Sequence, residues 1–365
     1  MRYGMGDRRI TSPTLLIDER KCRENIRMMV EKARVSGVVF RPHFKTHQSA
    51  VIGEWFREEG VNAITVSSVE MAGYFAQAGW TDITIAFPVN LREADEISGL
   101  ADTIKLNIIV NAAETLRSLQ TKIRQPLGII IEIDCGYHRS GLTPDDLDEI
   151  NMIIHECHEG GNAEFKGFLS HFGNTYSARS TEEIRQIFHE GTGKLISLRD
   201  NLGLGDQAII SVGDTPSCSI LDTFQEVDEI RPGNFIFYDV MQMGLGSCHA
   251  GQVAVCVAAP VVDLYHSRNE AVIHGGAVHL SKEHIRYDGD DVYGLVVRLT
   301  DDGWSDPLPG CRVKSLSQEH GILHCDPQIM KTLQRGSLVG ILPVHSCLTV
   351  DAMKTRPTLI LRSEK

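Results

Sequence analysis

The stretch VVFRPHFKTHQS, residues 38–49, joins a short apolar run to a cluster of basic side chains. The run VVF is typical of a buried strand, and Lys45 follows it between His43 and His47. Three basic groups this close together repel one another unless at least one is neutral or covalently occupied. The stretch therefore predicts a strand that ends at a lysine with a chemical role.

Similar apolar runs, rich in β-branched residues, recur through the first two thirds of the chain. Most are continuously apolar, as expected for strands covered on both faces, and helical periodicity lies between several of them. Such strands, alternating with helices, predict a parallel α/β architecture. The runs are VVF (38–40), AITVSS (63–68), DITIAFP (82–88), IKLNIIV (104–110), LGIIIEID (127–134), FKGFLSHFG (165–173), AIISVGD (208–214) and FIFYD (235–239).

Polar residues follow these strands, at Lys45, Ser67, Asp134, His171 and Asp214. In a closed barrel such positions meet at the carboxyl end of the strands, where barrel enzymes carry out their chemistry. We therefore predict a (β/α)8 barrel over residues 13–245. An open doubly wound sheet is the alternative.

The first predicted helix shows how one such unit begins and ends. Apolar residues recur at spacings of three and four after Asp18, which suits an N-cap. Gly37 ends the run, as a glycine just beyond a helix often does.

From residue 246 to 365 the pattern changes to strands separated by turns, without helix-length periodicity. We predict a second, mostly antiparallel β domain there, and we expect residues 1–12 to pair with it. The segment DGWSDPLPG (302–310) is interpreted as a turn-rich connection. The predicted strands include VAVCVAAPVV (253–262), EAVIHGG (270–276), VYGLVVRL (292–299) and SLVGILPV (337–344).

Composition excludes several classes of partner. The 365 residues contain 36 Lys and Arg against 48 Asp and Glu, and a formal charge of −12 disfavours nucleic acid as a partner. No window reaches the length of about 18 apolar residues that a membrane span needs, and the first residues do not resemble a signal peptide. The nine cysteines are scattered without paired spacing, which predicts reduced thiols in a cytoplasmic protein.

The segment SVGDTPS, 211–217, follows a predicted strand with a glycine and hydroxyl residues. Exposed backbone N–H groups and short hydroxyl donors suit a phosphate. The alternative is an ordinary βα turn in which Asp214 or Thr215 caps the next helix, and beside a phosphate the Asp214 carboxylate has to point away.

The segment PVHSCLTVD, 343–351, places His345 two residues before Cys347. In a strand these side chains face the same side, and an imidazole beside a thiolate makes half of a zinc site. A core cysteine next to a hydrogen-bonded histidine is the alternative. Two protein ligands leave positions open for water or substrate, which is typical of a catalytic ion.

Together these segments resemble the fold-type III pyridoxal-phosphate enzymes, in the branch with eukaryotic-type D-serine dehydratase and D-threonine aldolase. The resemblance runs from SPTLLID (12–18) to PVHSC (343–347), and RPHFKTH is its most specific motif. It implies an alanine racemase-like barrel plus a β domain, as a homodimer. It also implies that Lys45 is catalytic and binds pyridoxal 5'-phosphate, together with the cofactor-binding residues Arg139, Tyr176, Gly213, Asp214, Thr215 and Tyr238.

The resemblance further implies a reaction. Relatives that act as dehydratases carry HxC, as at His345 and Cys347, whereas the aldolases carry HxD; thiolate selects zinc over harder ions. We therefore predict zinc-dependent β-elimination of a small D-3-hydroxy amino acid such as D-serine, giving a 2-oxo acid and ammonia. The alternatives are retro-aldol cleavage to glycine and an aldehyde, a non-catalytic cofactor-binding protein, and a racemase. Gln48 and Asn174 depart from the family pattern and leave the exact substrate open.

Overall fold

The computed structural model describes residues 10–159, 161–287 and 289–362. They form two compact units. The barrel unit comprises residues 27–233, and the β unit comprises the described residues up to Ile26 together with those from Asn234 onward. The predicted domain boundary after residue 245 remains a sequence-based prediction, and most of segment 1–12 lies outside the described residues.

The chain begins with strand β1 (Thr14–Asp18) and helix α1 (Glu19–Ser36). The Asp18 carboxylate accepts the Lys21 N–H at 3.0 Å, as an N-cap does. Gly37 has a φ of 69°, a left-handed conformation that favours glycine. The helix therefore has the start and the end that we predicted from its sequence.

Parallel strands build the barrel unit, and each is followed by a helix or turn. The sheet order is β2-β9-β8-β7-β6-β5-β4-β3. Its strands are β2 (Val39–Phe40), β3 (Ile64–Val66), β4 (Asp82–Pro88), β5 (Lys105–Ile109), β6 (Leu127–Glu132), β7 (Ala163–Ser170), β8 (Ile209–Val212) and β9 (Glu229–Ile230). Its later helices are α2 (Ala50–Glu58), α3 (Val69–Gln77), α4 (Ala94–Ala101), α5 (Ala113–Gln120), α6 (Leu147–Glu159), α7 (Thr181–Asn201) and α8 (Thr215–Ile220).

The two ends of this sheet meet just beyond β2. His43 forms a parallel bridge with Thr65 of β3, and the Thr65 N–H donates to the Pro42 carbonyl at 2.9 Å. The sheet is therefore closed, so the predicted (β/α)8 barrel is confirmed and the open doubly wound alternative is wrong.

The last strand of the barrel does not lie in the segment that we predicted from the sequence. FIFYD is predicted as a strand, but it overlaps a 3-10 turn (Asn234–Ile236) and ends at Asp239, which caps α9 (Val240–Gly244). The eighth strand is instead β9, which begins with a buried glutamate. FIFYD is apolar because the segment is completely buried, whereas the polar Glu229 concealed the true strand from a search for apolar runs.

Buried charges link the strands inside the barrel. Arg41 donates to Asp82 and also to Glu229, the latter at 2.6 Å. Glu229 in turn accepts from the Ser211 hydroxyl at 2.6 Å. Arg231 donates to Ser211 at 2.7 Å. Burial opposes the charge on Arg41, but Glu229 and Asp82 outweigh it and raise the pKa of its guanidinium. The network thus joins the ends of β2, β4, β8 and β9.

The RPHFKTH motif is also held by its aromatic rings. Phe44 packs edge-on against Trp80, with ring centroids 5.0 Å apart, and His47 stacks on Phe56 at 5.6 Å. His47 accepts the Ser49 N–H at Nδ1, at 3.2 Å. Burial lowers the pKa of His47 to about 3. This histidine therefore belongs to the hydrophobic core in its neutral form.

The β unit contains a closed, mostly antiparallel sheet. Strands β10, β11, β16, β15, β14 and β17 pair in a ring, and β1 and β18 extend it from β10. This confirms the predicted antiparallel β domain. The strands are β10 (Val255–Tyr265), β11 (Glu270–His274), β12 (Ile285–Tyr287), β13 (Asp290–Val292), β14 (Gly294–Thr300), β15 (Gly303–Leu316), β16 (His320–His324), β17 (Leu338–Pro343) and β18 (Thr358–Leu361), and the helices after α9 are α10 (Ala277–Leu280), α11 (Pro327–Met330) and α12 (Ser346–Met353).

DGWSDPLPG is not the turn that we predicted, because nearly all of it lies in the long strand β15. Its pairing with β14 shifts register on both sides of the Val297–Pro307 pair. Such bulges accommodate prolines within a sheet. Within the described residues, no helix combines the length and apolarity that a membrane crossing needs.

Replacing Arg41 should destabilise the barrel unit. Arg41→Met removes the cation that bonds directly to the buried Glu229, and breaking a buried ion pair in this way costs about 3–5 kcal/mol. We expect a lower urea midpoint, followed by circular dichroism. Arg34→Met is the matched control because Arg34 pairs with Glu31 on the exposed face of α1. Equal midpoints for the two variants would contradict the assignment.

His47 should make the protein sensitive to acid. Its folded pKa of about 3 lies below the ordinary value of 6.5, so the unfolded chain binds the proton first and stability falls as the pH drops from 6.5 toward 3. His47→Phe keeps a ring and removes this titration. We expect the slope of unfolding free energy against pH to decrease by up to about 1.4 kcal/mol per pH unit. Parallel curves for wild type and variant would refute this.

Candidate functional site

Lys45 lies in a 3-10 turn (Phe44–Thr46) directly after β2, at the carboxyl end of the barrel strands. The other two residues of the turn are buried, whereas Lys45 is exposed. Burial, followed by the charge of Lys45, lowers the pKa of His43 well below its usual value. The Lys45 charge also lowers the pKa of His171, at the end of β7, so the ammonium stands near both imidazoles.

Burial leaves these histidines uncharged. It is the main reason that the pKa of His171 falls to about 3, and the charges of Arg139, Lys45 and Arg231 add to it. His171 donates from Nδ1 to the Gly213 carbonyl at 2.6 Å. The crowding of basic groups in RPHFKTH is therefore relieved by neutral imidazoles, and His171 joins the end of β7 to the loop after β8.

Asp214 acts as the N-cap of α8. Its Oδ1 accepts the Ser217 N–H at 2.7 Å and the Thr175 hydroxyl at 3.0 Å. Burial raises the pKa of Asp214 to about 6, although these hydrogen bonds and Arg231 oppose the rise. The carboxylate is thus directed into the helix cap.

The loop between β8 and α8 offers a cradle for a small anion. Among the described residues the buried Thr215 hydroxyl has no hydrogen-bond partner, and the Thr215 N–H donates to the Tyr176 hydroxyl at 3.3 Å. A Cβ added at Gly213 would lie 2.8–2.9 Å from Arg231, so only glycine fits here. An orphaned hydroxyl and a side-chain-free backbone are what a phosphate-binding loop requires, so these residues fit the phosphate of pyridoxal phosphate.

Arg139 follows β6 in a loop that one carboxylate organises. Asp134 Oδ1 accepts N–H groups from Gly136, Tyr137 and His138 at 2.8–3.0 Å. The Arg139 guanidinium is 3.6 Å from the Glu132 carboxylate and lies over the Tyr137 ring. Arg139 is half-exposed, so its donors remain accessible to an anionic group.

The predicted site residues fall in both units. The barrel unit brings together Lys45, Arg139, Tyr176 and the loop from Gly213 to Thr215 at the carboxyl ends of its strands. Tyr238, His345 and Cys347 belong to the β unit. Tyr238 is completely buried and has a φ of 47°, which is unusual for a residue with a side chain.

His345 and Cys347 are not in a strand, which corrects the predicted geometry. The strand β17 ends at Pro343, His345 is the N-cap residue of α12, and Cys347 lies in its first turn. The pair is nevertheless in contact, because the two side chains share a hydrogen bond. The start of α12 thus brings the two side chains together, as we expected a strand to do. Helix N-termini also favour the thiolate form of cysteine.

Acidic groups surround this pair. His345 Nδ1 is 2.6 Å from the Glu283 carboxylate. Burial alone would lower the pKa of His345, but Cys347, Asp239 and Glu283 outweigh it and raise the pKa to about 10. A carboxylate at Nδ1 orients the ring so that Nε2 can coordinate a metal, and an adjacent sulfur fits a soft ion.

A second group of ligand types lies elsewhere in the β unit. Ligand atoms of His274, His279 and Glu319 are within 4.8 Å of one another. However, His279 Nδ1 accepts the Gly276 N–H at 3.2 Å, so its Nε2 carries the proton. That tautomer leaves His279 Nε2 no lone pair for an ion.

Three residues of this architecture were not assigned a role from sequence. His171 was noticed as a polar residue after a strand, but nothing in the sequence showed that it bonds the Gly213 carbonyl. Arg231 and Glu283 lie in the polar segments EIRPG and SKEH, which carry no motif of their own. Their partners are distant in sequence, so only the fold identifies them.

Comparisons with known proteins match both parts of the chain. Residues 17–240 match the family "Alanine racemase, N-terminal domain", and residues 254–359 match "Putative serine dehydratase domain". A D-serine dehydratase of Dictyostelium discoideum is 30% identical, over 93% of this chain and 91% of the relative. A D-threo-3-hydroxyaspartate dehydratase of Delftia sp. strain HT23 is 29% identical, over 93% and 92%.

Solved structures of similar proteins agree with these sequence matches. The D-threo-3-hydroxyaspartate dehydratase from Delftia sp. HT23 superposes with a TM-score of 0.86 at 27% identity, over 96% of this chain and 95% of that chain. A cysteine-to-alanine mutant of a D-threo-3-hydroxyaspartate dehydratase is known in a metal-free form. The match over both units identifies the chain as a member of the fold-type III pyridoxal-phosphate enzymes, in the D-serine dehydratase and D-threonine aldolase family.

Proposed function

We propose that this protein is a pyridoxal-phosphate-dependent lyase that converts a D-3-hydroxy amino acid such as D-serine into a 2-oxo acid and ammonia. The observation that carries the proposal is the contact between His345 and Cys347, with Glu283 behind the imidazole, in a chain with the RPHFKTH barrel. The relatives named D-serine and D-threo-3-hydroxyaspartate dehydratase support it because they match over more than nine tenths of both chains.

Each group of residues has a part in this proposal. The Lys45 amine would hold the cofactor's aldehyde in the resting protein and, once the substrate's amine has displaced it, would accept the proton from the substrate's α-carbon. The loop from Gly213 to Thr215 would bind the phosphate, and Arg139 and Tyr176 would contact the rest of the cofactor. Pyridoxal phosphate, when bound, supplies an electron sink for the α-carbon. Tyr238 is proposed as a further cofactor contact.

His345 and Cys347 would hold the metal ion, which we propose to be zinc. Zinc supplies Lewis acidity toward a hydroxyl leaving group. Glu283, which contacts His345 Nδ1, would hold the proton there and leave Nε2 for the ion. A cytoplasmic location, inferred from the scattered cysteines, and a homodimer, implied by the family resemblance, also remain part of the proposal.

The second candidate is an aldolase that releases glycine and an aldehyde. It is favoured by relatives named 3-hydroxy-D-aspartate aldolase, one of which is 26% identical over 65% of this chain. Cys347 favours the dehydratase because a thiolate ligand selects a soft ion, whereas harder ions prefer oxygen ligands. A non-catalytic cofactor-binding protein would need neither the His345–Cys347 pair nor its carboxylate partner.

Lys45→Ala should abolish both the visible absorbance of the bound cofactor and the activity. Without the amine there is no covalent attachment and no base, and loss of a general base costs at least about a hundredfold in rate. Borohydride reduction of the wild type followed by peptide mapping should locate the cofactor on Lys45.

Lys122→Ala is the matched control, because Lys122 is an exposed lysine of the barrel unit whose ammonium pairs with the surface residue Asp95. It should retain colour and activity. A labelled peptide elsewhere, or a coloured Lys45→Ala protein, would remove Lys45 from its proposed role.

Chelation should stop ammonia release from D-serine, and zinc should restore it with about one ion per chain. Cys347→Ala removes the soft ligand, so zinc should neither bind stoichiometrically nor restore activity. Atomic absorption and an ammonia assay measure the two effects.

Cys248→Ala, another half-buried thiol of the β unit, should behave like the wild type. Zinc rescue of Cys347→Ala would contradict the metal assignment. If D-threonine gave glycine and an aldehyde, the aldolase would replace the dehydratase as the proposed activity.

A further inference from the structure

Two cations cap the carboxyl end of the six-residue helix α8. Lys32 Nζ donates to the carbonyls of Cys218 (3.2 Å), Ser219 and Leu221 (2.9 Å). Arg185 donates to the intervening carbonyl of Ile220 at 3.1 Å. Four successive carbonyls, which a helix end leaves without intrahelical partners, are therefore all bonded to cationic side chains.

These contacts are well matched to Lys32. An ammonium has three N–H donors, and here three carbonyls accept them. Burial lowers the pKa of Lys32, Asp222 opposes this shift and Arg185 adds to it. The three carbonyl oxygens that accept from the ammonium compensate its burial, so its position and that of the helix end depend on each other.

The opposite end of the same helix is the cradle described above. Asp214 caps it, Thr175 holds Asp214, and the Thr215 N–H faces Tyr176. The helix is only about 9 Å long at 1.5 Å per residue, and a helix of this length is unstable by itself. A shift or fraying at the Lys32 end therefore moves Gly213 and Thr215 at the other.

We propose that Lys32, assisted by Arg185, is a positioning residue that holds α8 so that the Gly213–Thr215 loop can bind the cofactor's phosphate. This inference rests on the proposed function. Lys32 lies on α1 and Arg185 on α7, so two helices from distant parts of the sequence determine the geometry of one loop.

The test compares two ligands of the cofactor-free protein, pyridoxal phosphate and pyridoxal, which differ only in the phosphate. The ratio of their dissociation constants measures what the phosphate loop contributes. Lys32→Met keeps the length of the side chain and removes its charge. We expect pyridoxal phosphate to bind about three- to tenfold more weakly, because a cation at a helix end has an effect of this size. Pyridoxal should bind as it does to the wild type.

Arg34→Met, on the same helix, is the control and should leave both constants unchanged, since Arg34 pairs with the exposed Glu31. Equal weakening of both ligands in Lys32→Met would mean a general loss of structure and would overturn the inference, as would an unchanged ratio. If Lys32→Met does not fold, Arg185→Met decides in the same way, with a smaller expected loss of about two- to threefold. A wild type that binds neither ligand would reject the proposed function and the inference with it.

Discussion

The barrel depends on charges that are buried inside it and neutralised there. Arg41 bonds Asp82 and Glu229, and Arg231 bonds Ser211 and the Ser170 carbonyl. A buried ion is costly unless its partners are in place, so these strand ends have few alternative arrangements. Because Arg41 begins the RPHFKTH motif, the network that closes the barrel also sets the position of Lys45 four residues later.

Polar contacts also fix the loops in the rest of the site. Loops after β6, β7 and β8 are each tied by a specific polar contact: Asp134 to three successive N–H groups, His171 to the Gly213 carbonyl, and Asp214 to Thr175. Sites are more precise when such supporting contacts lock their residues. A small set of buried polar groups therefore gives the carboxyl end of the barrel its shape.

Sequence reasoning predicted the continuously apolar strands and the lysine that follows β2, because these features are local. It failed where the surroundings of a residue are determined by partners that are distant in sequence. Glu229 is stabilised in β9 by an ion pair with Arg41, 188 positions earlier. FIFYD is apolar without being a strand, and His345 reaches Cys347 through a helix start. The motif residues could be read from sequence, whereas the groups that position them required the fold.

Strand β1 leaves the ribosome early, yet both its partners are synthesised late. It pairs with β10 on one side and with β18 on the other, as in Leu16 with Cys256 and Leu15 with Thr358. The barrel unit is complete before either partner exists. At about 5–20 residues per second, the apolar segment TLLID waits for roughly 20–70 s with an unsatisfied edge. Until β18 is made, this edge is open to pairing with other chains.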